Sequence, residues 1–176
     1  MIGPTKTTMI GKTMSKNIII FGCDNSGKTT LASNLFSCMM GAVLFPPLGP
    51  ATLDQQKAYL KRIRENKFRC ICDRFPPIEE MVCGNVLRGT SNFKEDDLKE
   101  FLDCQFIWCN PSFTSILNWG EREQMKGVKE NIVPLYFGYL KIFMKLKELG
   151  ADVFEYNWEK EEEFKNLCWH INERGN

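Results

Sequence analysis

Histidine is nearly absent from this chain of 176 residues, which contains only His170. Catalysis by a histidine dyad or triad, or a metal site with several histidine ligands, is therefore not expected. Neither sign of charge dominates, because 23 Lys and Arg residues balance 22 Asp and Glu residues to a formal net charge of +1. Proteins that bind nucleic acid in general carry a strongly basic face, so we expect no stable nucleic-acid binding.

The chain also lacks long apolar segments. No apolar run approaches the ~20 residues that span a bilayer, and residues 1–16 lack the apolar centre of a signal peptide. The eight cysteines include no Cys-x-x-Cys pair, and several lie in apolar stretches such as Phe68–Cys72. Reduced, mostly buried thiols fit this pattern better than zinc ligands or disulfides. We expect a soluble, cytoplasmic protein without a membrane partner.

The remaining composition is that of an ordinary globular domain, with 43 % hydrophobic and 26 % charged residues. A typical domain has ~100–200 residues, so a single domain is expected. We expect residues 1–16 to form a flexible N-terminal extension and residues 17–176 to form that domain. A polar stretch at about residues 119–128 is expected to form a short helical lid.

Short apolar runs alternate with segments of helical spacing. The predicted strands are Asn17–Gly22, Ala42–Phe45, Phe68–Asp73, Gln105–Cys109 and Asp152–Tyr156. The predicted helices are Lys28–Met40, Ala51–Asn66, Ile78–Leu87, Glu95–Asp103, a short helix after Pro111, Val128–Leu149 and Lys160–Asn172. Short continuous apolar strands are typical of a parallel sheet covered on both faces. The pattern predicts an α/β fold, a three-layer α/β/α sandwich around a five-stranded parallel sheet.

The segment between the first strand and the first helix matches the phosphate-loop pattern G-x-x-x-x-G-K-[ST]. It reads Gly22-Cys-Asp-Asn-Ser-Gly-Lys-Thr29, and its position between a strand and a helix is the context that supports the match. In such loops backbone N–H groups and the helix dipole hold phosphate oxygens. We expect Lys28 to reach the β- and γ-phosphates of ATP and the Thr29 hydroxyl to ligate Mg²⁺. The residues expected to bind the triphosphate are Gly22, Asn25, Ser26, Gly27, Lys28, Thr29 and Thr30.

A second candidate segment, Asp73-Arg74-Phe75, follows the third predicted strand. It lies at the carboxyl end of that strand, where open α/β sheets bind their ligands. Asp73 is expected to hold Mg²⁺ or to orient the attacking phosphate, and Arg74 to clamp that phosphate through two parallel hydrogen bonds. A solvated ion pair at a strand end is the alternative. A GTPase is not indicated, because Asn66-Lys67-Phe68-Arg69 lacks the Asp of the base-recognition motif.

Together, Phe21–Thr30 and Asp73-Arg74-Phe75 resemble the phosphate loop and the Asp-Arg-Tyr/Phe segment of thymidylate kinases, in the pared-down form common in phage and viral nucleotide kinases. The resemblance covers roughly residues 17–157. It implies transfer of the γ-phosphate of Mg-ATP to a (deoxy)nucleoside monophosphate, with dTMP as the first expectation, and it allows a homodimer. Residue by residue, it implies that Asp24 contacts the acceptor's 3′-hydroxyl, that Arg74 and the adjacent Phe75 contact the acceptor, and that Arg122 is a lid arginine. The catalytic residues would then be Lys28, Asp73, Arg74 and Arg122.

Departures from that family's pattern keep other functions open. Phe45–Pro50 contains no Arg where thymidylate kinases have one that helps to hold the monophosphate. The candidate substitutes are Arg62, Arg64 and Arg88. A deoxynucleoside kinase or another small-molecule kinase would instead use Asp73 or Glu79 as a base towards a hydroxyl. An ATP-binding module without phosphate transfer is the remaining alternative.

Overall fold

A computed structural model describes residues 16–118 and 127–174 of the chain. The five strands in these residues are β1 (Ile18–Phe21), β2 (Val43–Phe45), β3 (Cys70–Asp73), β4 (Gln105–Cys109) and β5 (Asp152–Tyr156). They form one sheet in the order β2-β3-β1-β4-β5, and each neighbouring pair is parallel. The carboxyl ends of all five strands therefore meet at one edge of the sheet.

Helices cover both faces of this sheet. The α-helices are α1 (Lys28–Cys38), α2 (Leu53–Glu65), α3 (Pro76–Glu79), α4 (Glu95–Leu98), α5 (Phe113–Leu117), α6 (Ile132–Glu148) and α7 (Glu163–Arg174). A π-helical segment, Glu80–Arg88, continues α3, and a 3₁₀ turn, Lys99–Phe101, follows α4. None of the helices in the described ranges is both long and apolar enough to cross a membrane.

Strand β1 shows how the sheet is buried on both sides. Its four side chains are fully buried, and they alternate between two clusters because successive side chains of a strand point to opposite faces. Ile18 and Ile20 pack with α1 and α7, whereas Ile19 and Phe21 pack with α2, α6 and the π-helical segment. The three-layer sandwich with five parallel strands is confirmed.

The structure differs from the sequence predictions mainly in two helices. The predicted helix Ile78–Leu87 is π-helical for most of its length instead of α-helical. The predicted helix Val128–Leu149 begins only at Ile132, after turns at residues 127–131. Pro134 therefore lies in the first turn of α6, where its missing N–H leaves no helical hydrogen bond unmade.

Helix α6 packs closely against the π-helical segment at Gly138. A Cβ placed on Gly138 would lie 2.8 Å from Cγ1 of Val82, a side chain that is 2 % exposed. Val82 is β-branched and has little rotamer freedom with which to move away. The absence of a side chain at residue 138 therefore sets the distance between these two helical segments.

We expect Gly138→Ala to lower the free energy of unfolding by about 1–3 kcal/mol through overpacking, although Ala normally favours a helix over Gly. Urea denaturation of the single variants and of the Val82→Ala/Gly138→Ala double variant checks this. The double variant should be more stable than the sum of the single effects, with a coupling free energy of about 0.5–3 kcal/mol. Strict additivity of the two changes would contradict close packing at this point.

Candidate active site

The phosphate-loop segment connects β1 to α1 at the carboxyl edge of the sheet, and its two glycines are required by its surroundings. Gly22 has φ 140°, and a Cβ there would lie 2.6 Å from the Cys109 carbonyl oxygen at the end of β4. Gly27 has φ 88°, and a Cβ there would lie 2.9 Å from Cδ1 of Trp158. Both backbone conformations are unfavourable for side chains, and both approaches leave no room for one.

The Lys28 side chain lies back over this loop. It is 4 % exposed, its ammonium group donates to the Cys23 carbonyl oxygen, and its Nζ is 3.9 Å from Oδ1 of Asp24. Ser26 is fully buried below the loop, and its hydroxyl has no partner among the described residues. A lysine ammonium group held against the loop backbone is also a feature of phosphate loops that bind phosphate.

Arg74 follows β3 in a strained backbone conformation. Its φ of 73° is in the left-handed region, which is uncommon for residues other than glycine and which occurs preferentially at functional sites. The backbone N–H of Arg74 is held by the Ile20 carbonyl oxygen at 3.1 Å. The guanidinium group is 2.7 Å from Oδ1 of Asp24 in the phosphate loop and 3.8 Å from Oε2 of Glu79. The strain therefore directs this cation between the loop and α3.

The ion pairs of Arg74 also fix its charge. Partial burial acts to lower its pKa, but the charges of Glu79 and Asp24 outweigh that effect and raise the pKa above its ordinary value. The guanidinium group remains protonated and is available to an anionic ligand.

Glu79 is the second charged group of this cluster. The Tyr139 hydroxyl donates to its Oε2 at 2.9 Å, while its Oε1 is buried without a partner among the described residues. Burial raises the pKa of Glu79, although Lys28 and Arg74 oppose the shift. The neighbouring thiol of Cys83 is no nucleophile at neutral pH, because burial raises its pKa to about 12.

A cavity of about 670 Å³, here named the Arg74 cavity, opens beside this cluster between α2 and the π-helical segment. Its polar lining residues include Gln56, Arg74, Glu79, Glu80, Arg88 and Asn92. The Arg88 guanidinium group folds back along the π-helical segment to Glu80 at 2.5 Å, and the Gln56 amide donates to the other oxygen of Glu80 at 3.0 Å. Arg88 is therefore a second, anchored cation in the same cavity.

Of the three arginines predicted as substitutes for the absent acceptor-binding Arg, only Arg88 lines the Arg74 cavity. Arg62 lies over the ring of Phe45 at 5.6 Å from its centroid. Arg64 lies 4.4 Å from the centroid of the Phe101 ring and forms an ion pair with Glu100.

A second cavity of about 420 Å³, here named the Trp158 cavity, lies on the other side of the phosphate loop. It is bounded by the loop and the start of α1 on one side and by Ser115, Asn118, Tyr156 and Trp158 on the other. The indole of Trp158 is half exposed. The phosphate loop thus lies between two cavities, one with paired charges and one with an aromatic side chain and amides.

Asp73 is the described residue that best fits a magnesium ion. The carboxylate is 2 % exposed, and its Oδ1 has no partner among the described residues. Groups of three or more His, Cys, Asp or Glu side chains that could hold a metal do not occur in residues 16–118 and 127–174. Magnesium is commonly bound by one or two carboxylates together with water and substrate phosphates, so a single buried carboxylate such as Asp73 is chemically sufficient on the protein side. Thr29 is exposed at the start of α1.

Most of the predicted site residues come together at the phosphate loop, but their side chains do not all face the same way. Asp24 and Lys28 lie in the phosphate loop, Arg74 is paired with Asp24, and Asp73 lies opposite Ile20 of β1; Thr29 and Thr30 lie at the exposed start of α1. The Asn25 side chain instead faces α5, where it donates to the Ser115 and Asn118 carbonyl oxygens. Arg122 lies outside the described residues, as does the predicted lid except for residues 127 and 128.

The residue expected to contact the acceptor beside Arg74, Phe75, lies in the core and not among the residues that line the Arg74 cavity. Phe75 is completely buried, and its ring packs edge-on against Phe101 at 4.8 Å between centroids. The physical reason is the turn at Arg74, which sends the guanidinium group into the cleft and the next side chain into the core.

Several site residues escaped the sequence analysis. They are Gln56, Glu80, Tyr139, Trp158 and Glu159. Trp158 and Glu159 lie two and three residues after the end of β5, so the rule that ligands bind beyond the carboxyl ends of parallel strands could have found them. Gln56 and Tyr139 lie within amphipathic helices, and no local pattern separates them from other helix residues.

No family model and no curated protein matches this sequence. Solved structures resemble its fold. A deoxyadenosine kinase from M. mycoides with the products dCMP and a flexible dCDP has a TM-score of 0.62 at 14 % identity, over 89 % of this chain and 98 % of that chain. A thymidylate kinase from Candida albicans, described as having broad substrate specificity, has a TM-score of 0.59 at 14 % identity, over 93 % of this chain and 94 % of that chain.

Polyphosphate kinase 2 from Arthrobacter aurescens TC1 also resembles the fold, with a TM-score of 0.62 at 14 % identity. That comparison covers 93 % of this chain and 66 % of the other chain. At such low identities these comparisons establish the fold, which this chain shares with three kinases.

The raised pKa of Glu79 predicts a stability cost at neutral pH. A carboxyl group with a folded-state pKa above its ordinary 4.5 contributes stability below that pH, and this contribution is lost as the pH rises through the folded-state pKa. We therefore expect Glu79→Gln to gain stability relative to the wild type as the pH rises from about 4.5 through the folded-state pKa. Urea denaturation across this range measures the difference.

The matched control for that measurement is Glu65→Gln, since Glu65 is exposed at the end of α2 and its replacement leaves the buried carboxyl group in place. If the stability difference between Glu79→Gln and the wild type did not change with pH, the assignment of a raised pKa to Glu79 would be wrong.

Proposed function

We propose that this chain is a phosphate-loop kinase that transfers the γ-phosphoryl group of Mg-ATP to a nucleoside monophosphate, with dTMP as the first candidate acceptor. The observation that carries the proposal is the position of Arg74. Its guanidinium group is held in a strained backbone turn between phosphate-loop Asp24 and a cavity large enough for a nucleotide. A phosphate acceptor needs a cation at this place, whereas a bare hydroxyl acceptor does not.

In this proposal, catalysis consists of positioning and charge compensation without a covalent intermediate. Lys28 and the N–H groups of the phosphate loop bind the donor phosphates, and Arg74 orients the acceptor phosphate towards them. Thr29 and Asp73 would hold magnesium, which supplies positive charge to the phosphate oxygens when bound. From the sequence resemblance, Arg122 is expected to act as a lid arginine.

The acceptor would lie in the Arg74 cavity. Asp24 is close enough to Arg74 for both side chains to contact the same sugar phosphate, with Asp24 accepting from the 3′-hydroxyl. Arg88 supplies the second cation that the Phe45–Pro50 segment lacks, and Glu80 and Gln56 hold it in place. Two cations around one acceptor favour a monophosphate over an uncharged nucleoside.

A second candidate function is favoured by Glu79. Glu79 lines the Arg74 cavity, and its buried Oε1 has no partner among the described residues. Its raised pKa makes it a better proton acceptor than an ordinary carboxylate. These properties suit a kinase that phosphorylates a nucleoside hydroxyl. The two functions differ in the acceptor alone, so one set of assays separates them.

We expect the purified protein to form ADP from Mg-ATP with at least one nucleoside monophosphate and not with the matching nucleoside. Lys28→Ala should lower kcat by at least about 10²-fold, because an electrostatic contact to the migrating phosphoryl group is lost. Lys61→Ala, at an exposed position of α2, is the control. Turnover with nucleosides alone would replace the first function by the second, and no turnover with either acceptor class would contradict both.

Arg88→Gln should raise the KM for the acceptor at least about tenfold, as expected for loss of a charged hydrogen bond, while the KM for ATP stays unchanged. Gln still donates a hydrogen bond towards Glu80, which limits the structural effect of the change. The matched control is Arg62→Gln, because Arg62 does not line the cavity. Equal effects of both substitutions on the acceptor KM would contradict the role given to Arg88.

A further inference from the structure

Helix α5 is held at both ends by loops that border the Trp158 cavity. At its C-terminal end, the Asn25 side chain donates to the Ser115 carbonyl oxygen at 2.9 Å and to that of Asn118 at 2.8 Å. The Ser115 carbonyl oxygen also accepts from the Asn118 backbone N–H at 3.2 Å, so Asn25 adds side-chain hydrogen bonds from the phosphate loop to the C-terminal turn of α5. The left-handed backbone of Asn25, with φ 63°, is a conformation that Asn tolerates better than most residues.

The other end of α5 is held by Glu159, which follows β5. One carboxylate oxygen accepts from the Ser112 backbone N–H at 2.5 Å, and the other accepts from the hydroxyls of Ser112 at 2.8 Å and Ser115 at 2.6 Å. These hydrogen bonds lower the pKa of Glu159, with the Ser115 hydroxyl as the largest cause. The carboxylate is therefore charged while it holds the start of the helix.

Trp158, the residue before Glu159, contacts the phosphate loop and so closes a ring of contacts. Trp158 lies against Gly27 so closely that a Cβ there would be 2.9 Å from the indole. In this ring, Asn25 of the phosphate loop contacts α5, α5 contacts Glu159, and the adjacent Trp158 contacts the phosphate loop again. The half-exposed indole of Trp158 belongs to this ring and borders the Trp158 cavity.

We propose that Glu159 and Asn25 are positioning residues that hold the Trp158 indole as a stacking surface for the donor's base, so that this kinase binds a nucleoside triphosphate in preference to a bare polyphosphate chain. The inference rests on the proposed function for the identity of the donor. A phosphate loop alone contacts phosphates and does not distinguish these donors. An aromatic surface at a fixed position distinguishes them, because every base has a π-face that stacks on it.

Two features of the cavity support this assignment. It is bounded by Gly27 and Thr30, which belong to the phosphate loop and to the start of α1, so a triphosphate held by the loop would extend into it. Asn34 and Asn118 add side-chain amides to the lining, and such groups can pair with the edge of a base.

The test measures equilibrium binding by calorimetry in the absence of an acceptor, with ATP and inorganic tripolyphosphate as probes, both with Mg²⁺. We expect the wild type to bind ATP at least about tenfold more tightly than tripolyphosphate, as the loss of one base stack would predict. Trp158→Ala and Glu159→Ala should lose this preference to within about threefold, with the affinity for tripolyphosphate unchanged. Trp158→Phe retains an aromatic ring and should keep most of the preference.

Two further variants separate positioning from general structural damage. Glu161→Ala removes an exposed glutamate from the same segment and should behave as the wild type. Glu159→Gln keeps an acceptor for the two hydroxyls but turns an amide towards the Ser112 N–H, and it should show an intermediate preference. Asn25→Ala should reduce the preference as Glu159→Ala does, because it releases the other end of α5.

Three results would overturn the inference. The first is equal affinity of the wild type for ATP and tripolyphosphate. The second is an undiminished preference for ATP in both Glu159→Ala and Glu159→Gln. The third is an equal loss of ATP and tripolyphosphate binding in Glu159→Ala. Because no acceptor is present, the result is independent of the proposed kinase activity. A wild type that prefers ATP but phosphorylates no acceptor would refute the proposed function and leave this inference standing.

Discussion

The cations beside the phosphate loop are largely buried and must still carry their charge, and this constraint determines much of the site. Moving a charged group out of water costs several kcal/mol unless an opposite charge compensates it. Asp24 provides this compensation for two groups, since it lies 3.9 Å from the Lys28 ammonium group and 2.7 Å from the Arg74 guanidinium group. Glu79 adds a second carboxylate on the far side of Arg74. The site is therefore balanced in charge before any nucleotide enters.

This balance changes the interpretation of the near-zero net charge. A net charge near zero is compatible with a cationic cleft whose compensating acidic residues lie in distant segments. In the structure the compensation is local, because Arg88 is paired with Glu80 just as Arg74 is paired with Asp24. An incoming phosphate therefore competes with carboxylates for each guanidinium group. Such competition reduces the affinity for anions in general and favours a ligand that contacts several groups at once.

The sequence predicted the fold well because its signals are local. The β-branched run that forms β1, the glycines of the phosphate loop and the Asp-Arg pair after β3 each have a short-range physical reason to be where they are. The buried position of Phe75 could not be predicted in the same way, because it depends on a left-handed turn at Arg74 that no neighbouring residue type indicates. The link between Tyr139 and Glu79 was also beyond prediction, since it joins residues 60 positions apart through the packing of α6.

In both cavities, a glycine leaves room for the functional side chain that lies across it. In the Arg74 cavity, the Arg88 guanidinium group passes across Gly84, where a Cβ would lie 2.9 Å from its Nη2. In the Trp158 cavity, the indole lies across Gly27 at the same Cβ distance of 2.9 Å. In both cases a long side chain reaches its position only because the residue below it has no side chain. A glycine here determines where a neighbouring functional group can lie, which is a packing constraint as much as a conformational one. A Cβ on Gly84 would also lie 2.7 Å from the Thr90 backbone carbonyl oxygen, so replacing this glycine would displace both the local backbone and the Arg88 guanidinium group.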